Sequence, residues 1–271
     1  MDEAQGYLRV VTTVWEDWSD PEHFLHVLKE ASDPDSRTLD EVARLPNDAQ
    51  PAPIGKPGED IYAVRFLGDR AYIVTFERID PLYVLDVSDN ENPSVLGKLE
   101  IPGVSNYLHP VGEGYLVSVG QEADENGGFG GVKVELFDVR GEIPVPVRSV
   151  ELGGSGSWSE ALTDLRAFNF LPVGTDQLRF TVPVTRRDGY RWLDSGLFLF
   201  EVNELTGTQA TLETREPLIV ESATGSGYEY PMGGGSDRSR MHGDTVYYLH
   251  GNDIWARDWD EPESLEGPFS F

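Results

Sequence analysis

One local pattern recurs along the chain and constrains its fold more than any other feature: a turn glycine followed at once by a β-rich strand. It appears as "GYLRVVTTV" at Gly6, "GDRAYIVTF" at Gly68, "GEGYLVSVG" at Gly112, "GTDQLRFTVPV" at Gly174 and "GDTVYYLHG" at Gly243. Each copy leads into a second strand with an acidic or polar close: "FLHVLKE", "LYVLDVSD", "VKVELFDVRG", "LFLFEVNE" and "DIWARDWDE". Glycine adopts the left-handed backbone of tight turns without steric cost, and β-branched and aromatic runs between such turns read as strands. The five glycines stand 62, 44, 62 and 69 residues apart, and the variation falls in loops such as "QEADENGGFGG" (Gln121–Gly131) and "TRRDGYRWLDSG" (Thr185–Gly196).

The stretch from Gly68 to Gly103 shows the unit in full. "AYIVTF" (Ala71–Phe76), "LYVLDV" (Leu82–Val87) and "SVLGKLEI" (Ser94–Ile101) are three strands with short connections, and "YAVRFLGDR" upstream supplies a fourth. Four antiparallel strands in that length make a propeller blade, and a fixed motif at such a period is the mark of a repeat architecture. With 29 Gly, 18 Pro and few stretches of helical period, the expectation is an all-β protein. It is a single β-propeller domain over residues 1–271, of about five four-stranded blade units, incomplete at the termini. A β-sandwich with meander connections is the alternative, but it needs no repeat.

The segments "GEDIYAVRFLGDRAYIVTFERIDPLYVLDVSDNENPSVLGKLEIPG", "SNYLHP", "GVKVELFDV" and "SEALTDLRAF" resemble the secreted C-terminal β-propeller proteins of archaea and bacteria, distant relatives of the WD-type repeats. The resemblance runs from about Gly6 to Asp258 and is densest between Gly58 and Phe168. It implies a propeller and an extracellular or cell-surface location, and it implies no particular reaction. Members of that family continue upstream of the "GYLRV" strand and carry a histidine within "SEAL…AF", where this chain has Leu165. On that comparison the first unit starts at its second strand, and the last has "SLEGPFSF" to finish it. An unclosed ring leaves strand edges open, so either the tail completes the first blade or two copies pair as a homodimer through their open edges.

Charge excludes one class of partner. There are 48 Asp plus Glu against 21 Lys plus Arg, giving a net charge of −27. Such a surface repels phosphate backbones, so no nucleic acid is expected. Self-repulsion at that charge is relieved by high ionic strength, and the balance resembles proteins of salt-loving organisms. The absence of cysteine removes disulfides, zinc thiolates and thiol nucleophiles. No apolar run reaches the length of a membrane span, and "MDEAQGYLRV" has neither a basic nor an apolar leader region.

Three groups of residues are candidate sites. Glu122, Asp124 and Asn126 alternate along "QEADENGG", with Gly128 next, and offer the oxygens that calcium prefers. Lys133 stands where an EF-hand loop would carry its bidentate glutamate, and a solvated hairpin loop is the other reading. By contrast "DVSDNENP" reads as turn chemistry, and Asp86 closes its strand as Asp138, Glu201 and Asp258 close theirs.

In the second group, Arg65, His109 and Arg240 each lie three residues before a turn glycine, and Arg166 falls in the corresponding strand of the fourth unit. First strands of propeller blades line the central channel, where alternate side chains point inward. These residues would bind an anion there, with Glu160 and Asp164 beside them, or form internal salt bridges that join blades; the internal bridges are preferred. Glu59 and Asp60 are further partners.

The third group is aromatic. Tyr190 and Trp192 sit in one loop, Tyr228 and Tyr230 in another, and Trp15 and Trp18 in "VWEDW". Loop aromatics stack on sugars or peptides, or fold back over sheet ends. Neither a Gly-x-Ser-x-Gly elbow, a His-Glu-x-x-His helix nor a phosphate-binding Gly-Lys-Ser/Thr loop occurs, and His23 and His26 have no evident third metal ligand. The expected function is therefore a non-catalytic extracellular module binding a protein or carbohydrate partner, stabilised by calcium. The alternative is a carbohydrate- or phosphate-ester-processing enzyme that uses channel carboxylates or a metal.

Overall fold

The computed structural model describes residues 1–15, 21–33, 35–76, 80–123, 128–224 and 236–270. Its strands form five four-stranded antiparallel sheets, each a simple meander in chain order, so the expected all-β fold of five blade units is met. The first sheet is β1 (Asp2–Ala4), β2 (Tyr7–Trp15), β3 (Pro21–Glu30) and β4 (Leu39–Leu45). The second is β5 (Asp60–Leu67), β6 (Arg70–Phe76), β7 (Asp80–Asp86) and β8 (Ser94–Ile101). The third is β9 (Val104–Val111), β10 (Tyr115–Ala123), β11 (Phe129–Asp138) and β12 (Val145–Leu152). The fourth is β13 (Asn169–Val173), β14 (Gln177–Asp188), β15 (Arg191–Asn203) and β16 (Thr211–Ser222). The fifth is β17 (Arg238–His242), β18 (Thr245–His250), β19 (Asp253–Asp258) and β20 (Glu266–Ser270).

All five repeat glycines have positive φ, between 57° and 79°, and open the hairpin between the first and second strands of a sheet. At Gly6, Gly68, Gly174 and Gly243 an added Cβ would meet nothing within 4 Å, so conformation and not space selects glycine there. The terminal sheets differ from expectation. The Gln5–Gly6 turn, with both residues at positive φ, lets three residues, Asp2–Ala4, pair with Tyr7–Arg9 as a true first strand. The C-terminal strand β20 pairs with β19 of its own sheet (Asp253↔Ser270, Ile254↔Phe269) and does not complete the first one.

The chain divides into two compact units, Met1–Leu108 with Gly141–Pro144, and His109–Arg140 with Val145–Phe271. In the first, Leu25, Val27 and Leu45 of sheet one pack on Ala71, Ile73, Tyr83 and Leu85 of sheet two. In the second, Leu197, Leu199 and Leu218 of sheet four pack on Met241, Val246, Tyr248 and Trp259 of sheet five. Strands covered on both faces read as unbroken apolar runs, as β15 does; the outer strand β12 is mostly exposed.

Polar links join sheets within each unit. Arg9, 1% exposed, donates to Val87 O at 2.8 Å and Asn90 Oδ1 at 2.8 Å. In the other unit Arg140 donates to Thr208 O at 2.8 Å, and Arg179 donates to Asp244 Oδ1 at 2.7 Å. Sheets are thus tied by arginines at the start or end of central strands. The acids of "DVSDNENP" accept bonds from their own turn: Asp86 from Ser88 N at 2.8 Å and Asp89 from Glu91 N at 3.0 Å. Asp138 does the same for Arg140 N at 3.0 Å, which explains why the acid recurs at a strand end.

Candidate functional site

Two one-turn 3-10 segments, Glu160–Leu162 and Leu165–Ala167, lead the chain into β13. Each is capped by the residue before it: Ser159 Oγ accepts from Ala161 N at 3.1 Å, and Asp164 Oδ1 from Arg166 N at 3.0 Å. Asp164 also accepts from Arg166 Nε and Nη2, both at 3.0 Å, and from Arg238 Nη2 at the start of β17. These bonds favour the ionised form, and the Asp164 pKa falls to about 2; the Arg166 side chain contributes most, then the Arg166 backbone N–H, with the Arg238 charge adding to it. Arg238 Nη1 lies 3.8 Å from Glu160 and donates to Asp237 O at 2.7 Å.

Asp237 carries the cluster inward. Its carboxylate is buried, accepting from Tyr248 Oη at 3.0 Å and meeting His250 Nδ1 at 2.9 Å. The other ring nitrogen, Nε2, is 3.5 Å from Glu221 on β16. Burial is the largest influence on His250 and opposes its charge, but the bond and charge of Asp237, with Glu221, outweigh it and raise the pKa. Burial pushes the Tyr248 phenol well above its ordinary value, and Asp237 adds to that. The His250 ring, 3% exposed, thus lies between two carboxylates that favour its charged form. Tyr248 Oη lies 3.3 Å from His250 Nδ1 and is already bound to Asp237. Neither a free general base nor an activated nucleophile results from this arrangement.

The structure brings Glu160 and Asp164 together, through Arg238. Of the remaining channel candidates, Arg65, His109 and Arg240 lie on the first strands of their sheets, β5, β9 and β17, and Arg166 does not. Arg166 lies in a 3-10 turn and not in a strand, its side chain 83% exposed, because Glu160–Ala167 inserts two turns before β13. Arg65, on β5 in the first unit, donates Nε and Nη2 to Leu108 O at 3.0 and 2.8 Å. His109 on β9 is buried between the rings of Phe168 and Phe170, 5.0 and 4.1 Å away. Arg240 is exposed on β17, opposite Tyr247 of β18. Glu59 is buried in the first unit, accepting from Thr75 Oγ1 at 2.6 Å and Lys56 N at 2.9 Å.

Of the calcium candidates, Asp124 and Asn126 lie outside the described residues. Glu122, at the end of β10, is 3.5 Å from Lys133 Nζ, which also lies 3.4 Å from Glu135. Burial raises the Glu135 pKa, and Lys133 pulls against it. Among the described residues no three His, Cys, Asp or Glu are grouped to hold a metal ion. His23 and His26 point to separate partners, Glu59 O at 2.7 Å and Glu41 at 2.6 Å.

The aromatic candidates separate. Tyr190 is 88% exposed at the β14–β15 turn. Trp192 is not a loop aromatic: it lies on β15, 7% exposed, with Nε1 donating to Ser195 Oγ at 3.2 Å. Trp18, Tyr228 and Tyr230 lie outside the described residues. The cluster of Asp237, Arg238, Tyr248, His250 and Glu221 escaped the sequence reading. Its one local signal was Tyr248 and His250 two apart on a strand, hence on the same face.

Five meandering four-stranded sheets, tied by arginines and apolar faces, define an all-β protein of propeller blades. The chain belongs to the beta propeller domain family, whose profile matches residues 1–261. It is 37% identical over 170 residues to "Uncharacterized protein MJ1554" of Methanocaldococcus jannaschii, covering 62% of this chain and 24% of that protein. It is 38% identical over 189 residues to an "Uncharacterized protein" of Archaeoglobus fulgidus, covering 67% of this chain and 26% of the other. The chain therefore spans about a quarter of the length of these curated relatives. Among solved structures it is similar to Saccharomyces cerevisiae Sqt1, at TM-score 0.37 and 8% identity, over 93% of this chain and 79% of that one. It is also similar to Pyrococcus horikoshii acylaminoacyl peptidase, at TM-score 0.38 and 10% identity, over 97% of this chain and 44% of the peptidase.

Proposed function

We propose that the chain is a non-catalytic interaction module, held at the outside of the cell, whose partner binds its loops. The observation that carries this reading is the closure of its buried acid–base groups upon one another. Arg238 is held by Asp164 and Glu160, His250 by Asp237 and Glu221, and Lys133 by Glu122 and Glu135. Glu201, 1% exposed, accepts from Trp259 Nε1 at 2.5 Å and pairs with Arg179 and Arg215. Pairing of this kind ties strands and sheets together; among the described residues His250 Nε2, Glu135 Oε2 and Arg179 Nε meet their partners as charges, without a hydrogen bond. The external location rests on the resemblance to secreted propeller proteins.

Turnover assays on a panel of glycosides and phosphate esters test the reading, using the wild-type chain with Glu160→Gln and Asp164→Asn. No turnover by any of the three is expected. A wild-type activity that Glu160→Gln abolishes while the melting temperature survives would establish the enzyme reading instead.

A further inference from the structure

The β14–β15 hairpin is the longest in the protein, with strands of 12 and 13 residues. The first strand, β13, pairs with β14 only as far as Thr181. Beyond it the edge of β14 is taken by residues 154–158. Gly154 N donates to Arg187 O at 2.7 Å, Trp158 N to Thr185 O at 3.0 Å and Thr185 N to Trp158 O at 2.9 Å. Ser157 Oγ adds a bond from Arg187 N at 2.9 Å. The approach is so close that a Cβ on Gly156, whose φ is +85°, would lie 2.8 Å from Gly189 O. On the other side β16 and Ala223 N, which donates to Leu193 O at 2.9 Å, cover β15. The described residues therefore occupy the edge of β14 up to Arg187 and that of β15 up to Leu193, which leaves little of either flank open to strand addition.

The tip carries a distinct chemistry. Arg186, Arg187 and Arg191 are three of the chain's 21 basic residues, gathered in six positions of a molecule with net charge −27. Arg186 is consumed by Asp194, at 2.7 and 2.5 Å. Among the described residues neither Arg187 nor Arg191 has an ion-pair partner, and Asp188 is the one carboxylate in the turn itself. Between them stands Tyr190, 88% exposed, and Trp158 of the supporting segment is 45% exposed. A guanidinium matches a carboxylate bidentately, and an exposed aromatic face stacks on the C–H face of a sugar ring.

We propose that this hairpin tip binds an anionic polysaccharide, a polymer of carboxylate-bearing sugars, with Tyr190 stacking on a ring and Arg187 and Arg191 taking its carboxylates. The proposal rests on the interaction-module reading and names the partner of one loop. Charge complementarity is local: repulsion from the rest of the acidic surface is screened beyond about 8 Å at physiological ionic strength and about 3 Å in molar salt. An extended acidic peptide is disfavoured because most of the strand edge that would receive it is occupied.

Affinity electrophoresis and calorimetry of the whole chain in molar KCl test this, with polygalacturonate as probe, neutral dextran and poly-L-glutamate as comparisons. Wild type is expected to bind polygalacturonate and neither comparison polymer. Tyr190→Ala should weaken binding about tenfold, the scale of one lost stacking contact, and the double variant Arg187→Gln, Arg191→Gln should abolish it. Each altered side chain projects from a turn or its flank, and an unchanged melting temperature confirms folding. Arg240→Gln, an exposed arginine elsewhere, should leave binding intact. Absence of polygalacturonate binding, equal binding of poly-L-glutamate, or equal loss in Arg240→Gln overturns the proposal. None of these outcomes touches the module reading, which falls only to turnover.

Discussion

Replacing Asp237 by Asn removes one negative charge from a buried site while keeping its volume, and the structure sets the size of the effect. The Asp237 carboxylate is 8% exposed and holds both the Tyr248 hydroxyl and the His250 ring. Losing one partner of a buried charge pair costs about 3–5 kcal/mol. The lower end, about 3 kcal/mol, is expected because the Asn carbonyl can still accept from Tyr248 and Glu221 still faces the ring at 3.5 Å. The pH profile is the sharper test. The His250 pKa is raised on folding, so the stabilisation is fully present below the unfolded pKa of about 6.5 and is lost as pH rises through the folded pKa. Over that window one proton contributes a slope of up to about 1.4 kcal/mol per pH unit. Urea denaturation of wild type and Asp237→Asn, followed by tryptophan fluorescence from pH 5 to 9 in fixed KCl, measures both quantities. The wild type should weaken above about pH 6.5, and the variant should start lower and stay flatter. An identical slope in the two proteins would refute a protonated His250 held by Asp237.

Other expectations follow from the same geometry. Asp164, with its pKa lowered to about 2, stabilises the fold above its unfolded value and loses that contribution as pH falls through the folded one. The stability gap between wild type and Asp164→Asn should therefore narrow below about pH 4, and a constant gap in acid urea titrations would contradict it. Gly68→Ala places a side chain at φ +57° with nothing within 4 Å, so it should cost about 1–2 kcal/mol from backbone conformation alone. Gly131→Ala should cost more, because its Cβ would lie 2.5 Å from Gly153 O and 2.8 Å from Leu152 O; comparable thermal melts for the two variants would refute that ranking. A calcium site at the β10–β11 loop has to draw Glu122 away from Lys133, now 3.5 Å distant. Such a site is expected to give a calcium-specific rise in melting temperature that persists in high KCl and disappears in Asp124→Ala. Equal effects of calcium and magnesium, both replaced by KCl, would rule it out.

Local signals carried the fold a long way. The five turn glycines do adopt positive φ, the apolar runs between them are strands, and Asp86 and Asp138 bond within their own turns. Each of these depends on residues within a few positions of one another, so it can be read from neighbours alone. The three-residue strand Asp2–Ala4 is too short for a periodic signal, and the Gln5–Gly6 turn creates it. Arg166 could not be aligned with the inner strands because the turns capped by Ser159 and Asp164 take up the register. Trp192 reads as a loop residue until the length of β15 is known.

Burial and pairing were decided by tertiary structure. Thirteen residues separate His250 from Asp237 and 29 separate it from Glu221, across three strands and two sheets, so nothing local foretells that both carboxylates meet one ring. Among the channel candidates Arg166 pairs with Asp164, and Asp164 and Glu160 meet Arg238, while Arg65 donates to a carbonyl; Arg179 and Lys133 form further pairs that no local signal announced. The repeating strand-and-turn grammar can be read from the residues alone, because backbone conformation and side-chain alternation are short-range. Which acids and bases meet is long-range: sheet register and packing bring the partners together, and desolvation then makes each choice of partner energetically decisive.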